Sequence, residues 1–230
     1  MPLSKQRALA EDLTLNKAMQ QGPVIAVDGP AASGKGSIAR ALAERFGLPH
    51  MDTGLLYRAV ALKLWRWGGD PGSEFEALRA CDELGFDPVD PDLRSEPVSK
   101  IASMISAYPS VRAALLKRQQ DFAQQQGGAV LDGRDIGTVI APGASVKLFV
   151  TASPEIRAER RLKELEERGM RVHYEEVLAD IRARDARDSG RAVAPLKPAA
   201  DSVRLDTSKL SLDEAIAEAV RVVEERLAHA

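Results

Sequence analysis

Cysteine is all but missing from this chain, with Cys81 the single one in 230 residues. No disulfide framework and no cysteine zinc site can be built from it. Its neighbours in sequence are Arg79, Asp82 and Glu83, with no histidine close by to act as a base, so packing is its expected role. Histidine is equally scarce. His50, His173 and His229 are scattered along the chain, which argues against a histidine metal site. Positive charge is not in excess either: 32 Lys and Arg stand against 34 Asp and Glu, a net charge of -2. The lack of a global positive field argues against a non-specific nucleic-acid binder. No apolar run approaches the ~20 residues of a membrane span. The leader Met1–Gln21 lacks a basic-then-apolar signal pattern, and Glu11 and Asp12 argue against a transit peptide. A reduced, cytoplasmic setting is expected, with residues 1–21 a flexible leader of no assigned function.

What is present is ordinary for a globular protein: 44% hydrophobic and 29% charged residues. The length suits one α/β domain with a small appended subdomain. Five short apolar segments recur between helical stretches: Val24–Asp28, Leu48–Met51, Ala129–Asp132, Val146–Val150 and Ser202–Leu205. That alternation predicts crossover units around a buried parallel sheet. Ser153-Pro154 reads as a helix N-cap and first helical residue. Ser211 with Glu214 reads as a capping box, opening a helix whose apolar residues recur at Leu212, Ile216, Ala219, Val220 and Val223. Between Gly68 and Pro97 the chain turns rich in Gly, Pro and Asp, with one short helix expected over Phe75–Leu84. This stretch is expected to be an insert outside the sheet.

The run Val24-Ile-Ala-Val-Asp-Gly29-Pro30-Ala31-Ala32-Ser33-Gly34-Lys35-Gly36-Ser37 is an apolar strand, a loop of small residues and the start of a helix. In that order, backbone N–H groups converge on phosphate oxygens and the helix N-terminus favours negative charge. Lys35 is placed to reach the β- and γ-phosphates of a nucleoside triphosphate, and the Ser37 hydroxyl to face Mg²⁺. Gly36 stands between Lys35 and the hydroxyl residue. That Gly-Lys-Gly-Ser arrangement resembles nucleoside monophosphate kinases more than GTPases or motor ATPases. Ala32 occupies a position where glycine is usual, which is tolerable provided its φ is negative.

Downstream, Met51-Asp52-Thr53-Gly54-Leu55-Leu56-Tyr57-Arg58 follows the second strand, and Asp52 or Thr53 could serve only to cap the next helix. The segment Val130-Leu-Asp132-Gly-Arg134-Asp135-Ile-Gly-Thr ends a strand in two carboxylates and an arginine, where ligands bind in open α/β sheets. A basic cluster runs from Arg157 to Arg191, partly offset by glutamates. Within it Arg184, Arg187, Asp188 and Arg191 are spaced for one helical face, provided the helix continues that far. A row of guanidiniums beside a phosphate loop suits phosphoryl transfer.

From about Gly22 to the end, these residues resemble bacterial cytidylate kinases. The resemblance rests on the phosphate loop, Asp52-Thr-Gly with Tyr57-Arg58, Ser103 nine residues before Arg112, Asp132-Gly-Arg-Asp135-Ile-Gly-Thr-Val, and Arg184-Asp-Ala-Arg-Asp188-Ser-Gly-Arg191-Ala-Val-Ala-Pro-Leu. It implies a P-loop kinase fold: a five-stranded parallel sheet flanked by helices, with a core of 22–60, 127–160 and 190–230. A monophosphate-binding subdomain over 61–126 and a short lid over 161–189 would complete it. The Gly68–Pro97 insert is too short for the small β-sheet that many bacterial relatives carry there.

The activity implied is transfer of a phosphoryl group from ATP to CMP or dCMP with Mg²⁺, by a monomer that engages neither nucleic acid nor membrane. Residues 29–37 and Arg157 would bind ATP, with Ser37 facing the metal. Ser103, Arg112 and Asp135 would read cytosine, and Arg184 and Asp188 would hold the ribose. Arg58, Arg134 and Arg191 would surround the acceptor phosphate, with Thr53 lining the site. Lys35, Arg134 and Arg191 are the expected catalytic set. Two other readings stay open: a P-loop kinase for UMP, dTMP or a sugar acid, and a nucleotide-dependent switch, although a guanine-reading Asn-Lys-x-Asp run is absent.

Overall fold

The computed structural model describes residues 22–82, 84–85 and 87–229. The leader expected to be flexible lies outside these residues. Five parallel strands form one sheet: β1 (Val24–Asp28), β2 (His50–Asp52), β3 (Ala129–Gly133), β4 (Val146–Thr151) and β5 (Val203–Asp206), in the order β2-β3-β1-β4-β5. β1 is central, paired in parallel with β3 from Val24 opposite Ala129 and with β4 from Ile25 opposite Val146. Ile25, Ala26 and Val27 are fully buried, as a strand covered on both faces requires.

The expected Leu48–Met51 strand begins later, at His50. Pro49 has no N–H for the ladder, yet its carbonyl accepts from Val130 N at 2.9 Å. The fifth strand is likewise displaced by one residue from its expected limits. Helix α1 (Lys35–Phe46) buries Ile38, Ala39, Leu42 and Ala43, and α2 (Thr53–Trp67) follows β2. Helix α3 (Glu74–Cys81) is shorter than expected, ending at Asp82, whose backbone turns extended. Among the described residues of 68–97 there is no strand; α3 and a short 3₁₀ turn at Pro91–Arg94 precede the next helix, which starts at Glu96.

Helices α4 (Glu96–Ile105) and α5 (Pro109–Ala123) complete an apolar cluster with α2 around Leu64, Leu93, Ile105 and Leu115. A second cluster packs α1 and the last helix, α8 (Leu212–Ala228), on the sheet through Ile38, Leu42, Leu148, Ala219 and Val223. Helices α6 (Pro154–Glu167) and α7 (Tyr174–Ser189) form a hairpin around Ala158, Leu165 and Val177.

The expected caps are made. Ser153 Oγ accepts from Ile156 N at 3.3 Å, and Ser211 and Glu214 bond reciprocally at 3.3 and 2.8 Å. The expected subdomain limits at 60/61 and 160/161 both fall inside unbroken helices, α2 and α6. No helix of the described residues is long and apolar enough to cross a membrane.

Candidate active site

Strand order reverses direction on either side of β1, and the functional residues gather beyond the carboxyl ends of the strands there, as open α/β sheets dictate. The loop leaving β1 passes so close to β4 that a Cβ on Gly29 would lie 2.0 Å from the Val150 carbonyl oxygen. Gly34, the N-cap of α1, sits at φ 88°, a left-handed conformation that glycine adopts without strain. Ala32 contradicts the expectation of a negative φ: it sits at +57°. The loop therefore holds an alanine where its backbone favours glycine, a local strain of about 1–2 kcal/mol.

Lys35 Nζ rests on the Pro30 carbonyl at 3.3 Å. Burial, helped by Arg134, lowers its pKa to about 7, against the pull of Asp132 and Asp52. Lys35, Ser37, Asp52, Asp132, Arg134 and Arg184 face one cavity of about 300 Å³. A second cavity of about 460 Å³ opens from Ser33 and Ser37 toward Arg160, Thr207, Leu210 and Leu212. Arg160 is held there by Thr207, through Oγ1 at 3.0 Å and the carbonyl at 2.7 Å.

Arg157, expected on the nucleotide side, is placed differently. It donates to the Ala31 carbonyl at 3.3 Å and the Ala152 carbonyl at 2.9 Å, and forks onto Asp185 at 3.0 and 2.6 Å. Its guanidinium braces the loop from behind and lines neither cavity, while Arg160 and Arg161 face them.

Thr53, Arg58, Arg112, Arg134, Asp135, Arg184, Asp188 and Arg191 come together around a narrow cavity of about 60 Å³. Ser103 is not among them. Its Oγ accepts from Arg187 at 3.3 Å and faces an adjoining cavity of about 260 Å³, which has Arg184 as a wall in common with the first. Ser106 takes the place nearest the pocket, accepting from Arg191 Nη2 at 2.7 Å through Oγ and from Arg112 Nη1 at 3.2 Å through its carbonyl.

Neither Asp52 nor Thr53 caps α2 with its side chain; Thr53 Oγ1 instead donates to the Asp132 carbonyl at 2.9 Å. The single helical face expected for Arg184 to Arg191 is also corrected. α7 stops at Ser189, so Arg191 lies beyond it and is drawn in by Asp188.

Charge in this pocket is out of balance. Five guanidiniums, of Arg58, Arg112, Arg134, Arg184 and Arg191, meet only Asp135 and Asp188. Burial works against the Asp188 charge, but Arg134, Arg191 and Arg184 outweigh it and hold the carboxyl below the usual range. Burial and the neighbouring Arg134 pull Arg184 down to about 9, and burial pulls Arg58 to about 10. The Nε atoms of Arg184 and Arg191 are buried without a partner. At the opposite end, Arg112 is tightly paired with Asp135 and stacked 5.7 Å from the Tyr57 ring. Buried cations lacking counter-charge form a site for a multiply charged anion.

A family model for cytidylate kinase matches residues 25–225. The chain is 58% identical over 207 residues to a cytidylate kinase of Xanthobacter autotrophicus, covering 89% of this chain and 99% of that one. It is 55% identical over 202 residues to one of Methylocella silvestris, covering 87% and 94%.

The chain belongs to the cytidylate kinase family.

At the level of fold, an uncharacterised protein of Eubacterium ventriosum superposes with a TM-score of 0.54 at 16% identity, over 89% of this chain and 99% of that one. For this cytidylate kinase family member, sequence reasoning missed several residues of the site. Asp28 accepts from Ile136 N and Gly137 N, both at 2.8 Å, so the end of β1 fixes the turn that carries Arg134 and Asp135. Burial raises the Asp28 pKa to about 6, against those two bonds. Ser106 and Thr207 were missed as well, since nothing in their local sequence separates them from surface residues, and Arg160 and Arg161 were read only as part of the basic cluster. Cys81 has its thiol pushed up to about 11 by burial, which suits the packing role.

Proposed function

We infer that this enzyme transfers the γ-phosphoryl group of ATP to CMP and dCMP, giving ADP and CDP or dCDP. The unbalanced guanidinium pocket beside the phosphate loop carries this reading, because it offers a second phosphate a place next to the first. In it, residues 29–37 cradle the donor phosphates, and Lys35 takes up the charge of the β- and γ-groups. The wider cavity, with Ile38, Leu210 and Leu212 on its walls and Arg160 at its edge, suits the donor base. An oxygen of the acceptor phosphate bonds to the γ-phosphorus as the bond to the β-phosphate oxygen breaks, and ADP departs. The attacking oxygen is already anionic, so no general base is needed and catalysis is positioning plus charge stabilisation. Arg134 and Arg191 supply that stabilisation, with Arg58 on the acceptor phosphate.

Asp135 accepts from the cytosine N4 amino group, held by Arg112, and Ser103 approaches the base when the adjoining cavity opens to it. Arg184 and Asp188 hold the ribose. The α2–α5 region over 61–126 serves as the monophosphate-binding subdomain, and 161–189 as the lid. Ion pairs from Arg161 to Glu96 and from Lys100 to Asp180 already join those two parts. Oxygen donors facing the 300 Å³ cavity, the Ser37 hydroxyl and the Asp132 carboxylate, fit Mg²⁺ carried in on the phosphates. Mg²⁺, when bound, neutralises charge on the phosphates.

An acceptor panel of CMP, dCMP, UMP, AMP and dTMP tests the assignment. Uracil presents a carbonyl where cytosine has its amino group, setting two acceptors face to face at Asp135. A polar mismatch of this kind rejects an analogue by as much as ~10⁴-fold. Faster turnover of UMP than of CMP would overturn the reading.

A further inference from the structure

Strand β2 is only three residues long, yet it brings a histidine against the acidic end of β3. His50 Nε2 lies 2.8 Å from Asp132 Oδ1. The register sets His50 opposite Val130 and Asp52 opposite Asp132, so the imidazole reaches diagonally along the ladder. Asp132 is buried, and its backbone carbonyl is already held by Thr53 Oγ1. Its second oxygen, Oδ2, turns to the phosphate loop and lies 3.7 Å from where a Cβ on Gly36 would stand. His50 stays outside the donor cavity. It opens on the far side into a separate cavity beside Leu55, Leu84, Arg118 and Phe122. The imidazole therefore touches no nucleotide, while its partner carboxylate faces Lys35 and Ser37.

We propose that His50 is a positioning residue, whose Nε2–H holds Asp132 so that Oδ2 faces the metal-bearing phosphates of the donor. Carboxylate oxygens accept, which makes His50 Nε2–H the donor of this bond. Released from that bond, the carboxylate would be free to rotate, and Oδ2 would no longer be held on the Ser37 side of the cavity. A lysine or arginine at position 50 would set a permanent positive charge against Asp132, weakening its hold on a cation. An imidazole supplies a hydrogen bond without requiring that charge. Groups that orient a metal-facing side chain in this way typically affect metal affinity by 10–100-fold or so.

The inference rests on the ATP-donor reading, and calorimetry on the full chain separates the two. ATP binding is measured once with Mg²⁺ and once with EDTA, for wild type, H50L and H50Q. H50L is expected to weaken Mg·ATP about tenfold while metal-free ATP stays within about twofold of wild type. H50Q, whose amide can donate at a similar reach, is expected to stay near wild type. In a D132N background, H50L is expected to add nothing further. Should H50L fold poorly, H50N, too short to reach Oδ1, carries the same comparison.

Equal weakening of both ATP forms, no change in either, or a full additional loss in the D132N background would overturn the assignment. Wild type that binds ATP in neither form would overturn the donor reading and this inference with it.

Discussion

Arg134 Nε donates to Asp188 Oδ2 at 2.9 Å, a bond joining the end of β3 to the last turn of α7. Asp188 also takes Arg191, and Arg184 Nε lies 4.0 Å away, so one buried carboxylate organises three guanidiniums. Removing it leaves those cations facing one another in low dielectric. D188A is expected to lower the stability of the ligand-free protein by about 3 kcal/mol. Sulfate, which can replace the missing negative charge, should recover much of that loss. Thermal denaturation with and without sulfate measures both effects. A variant as stable as wild type without added anion would show that the pocket does not need Asp188.

The loop and the central strands were legible because their chemistry is local. A phosphate cradle needs glycines, a lysine and a hydroxyl within nine residues, and β1, β3 and β4 are buried on both faces. The edges were less legible. β2 shifted because Pro49 contributes a carbonyl but no donor, which hydrophobicity alone does not register. The helical face drawn through Arg191 failed because α7 stops at Ser189, two residues earlier. Arg157 shows a further limit: its charge was read as a ligand for nucleotide, whereas its donors are taken by Asp185 and two carbonyls. Asp28 and Ser106 act through partners that only the fold brings near, Asp28 across 108 residues of chain to Ile136. No local pattern encodes such contacts.

Lys35 gives a pH-dependent prediction. With its pKa lowered to about 7, the side chain in the ligand-free protein is mostly neutral at pH 8. Donor phosphates raise that pKa again, so binding at pH 8 should take up about one proton from the buffer. Calorimetric titration of ATP in two buffers of different ionisation enthalpy reads this directly. K35R, charged throughout, should bind with no proton uptake. Binding heats for wild type that do not vary with buffer would remove the pKa assignment from Lys35.

Ala32 tests the backbone of the loop itself. At φ +57° its Cβ crowds the following carbonyl, at about 1–2 kcal/mol, while glycine in the same place loses about 0.5–1 kcal/mol of chain entropy on folding. The first effect is the larger. A32G should therefore stabilise the protein by somewhat under 1 kcal/mol, a rise in Tm of roughly 2–3 °C for a chain of this size. The Ala32 side chain also borders both donor cavities, so its loss widens them slightly without removing a phosphate contact. ATP affinity should then stay within about twofold. A drop in Tm for A32G would mean that methyl contacts at the loop outweigh its strain, and that alanine is there for packing.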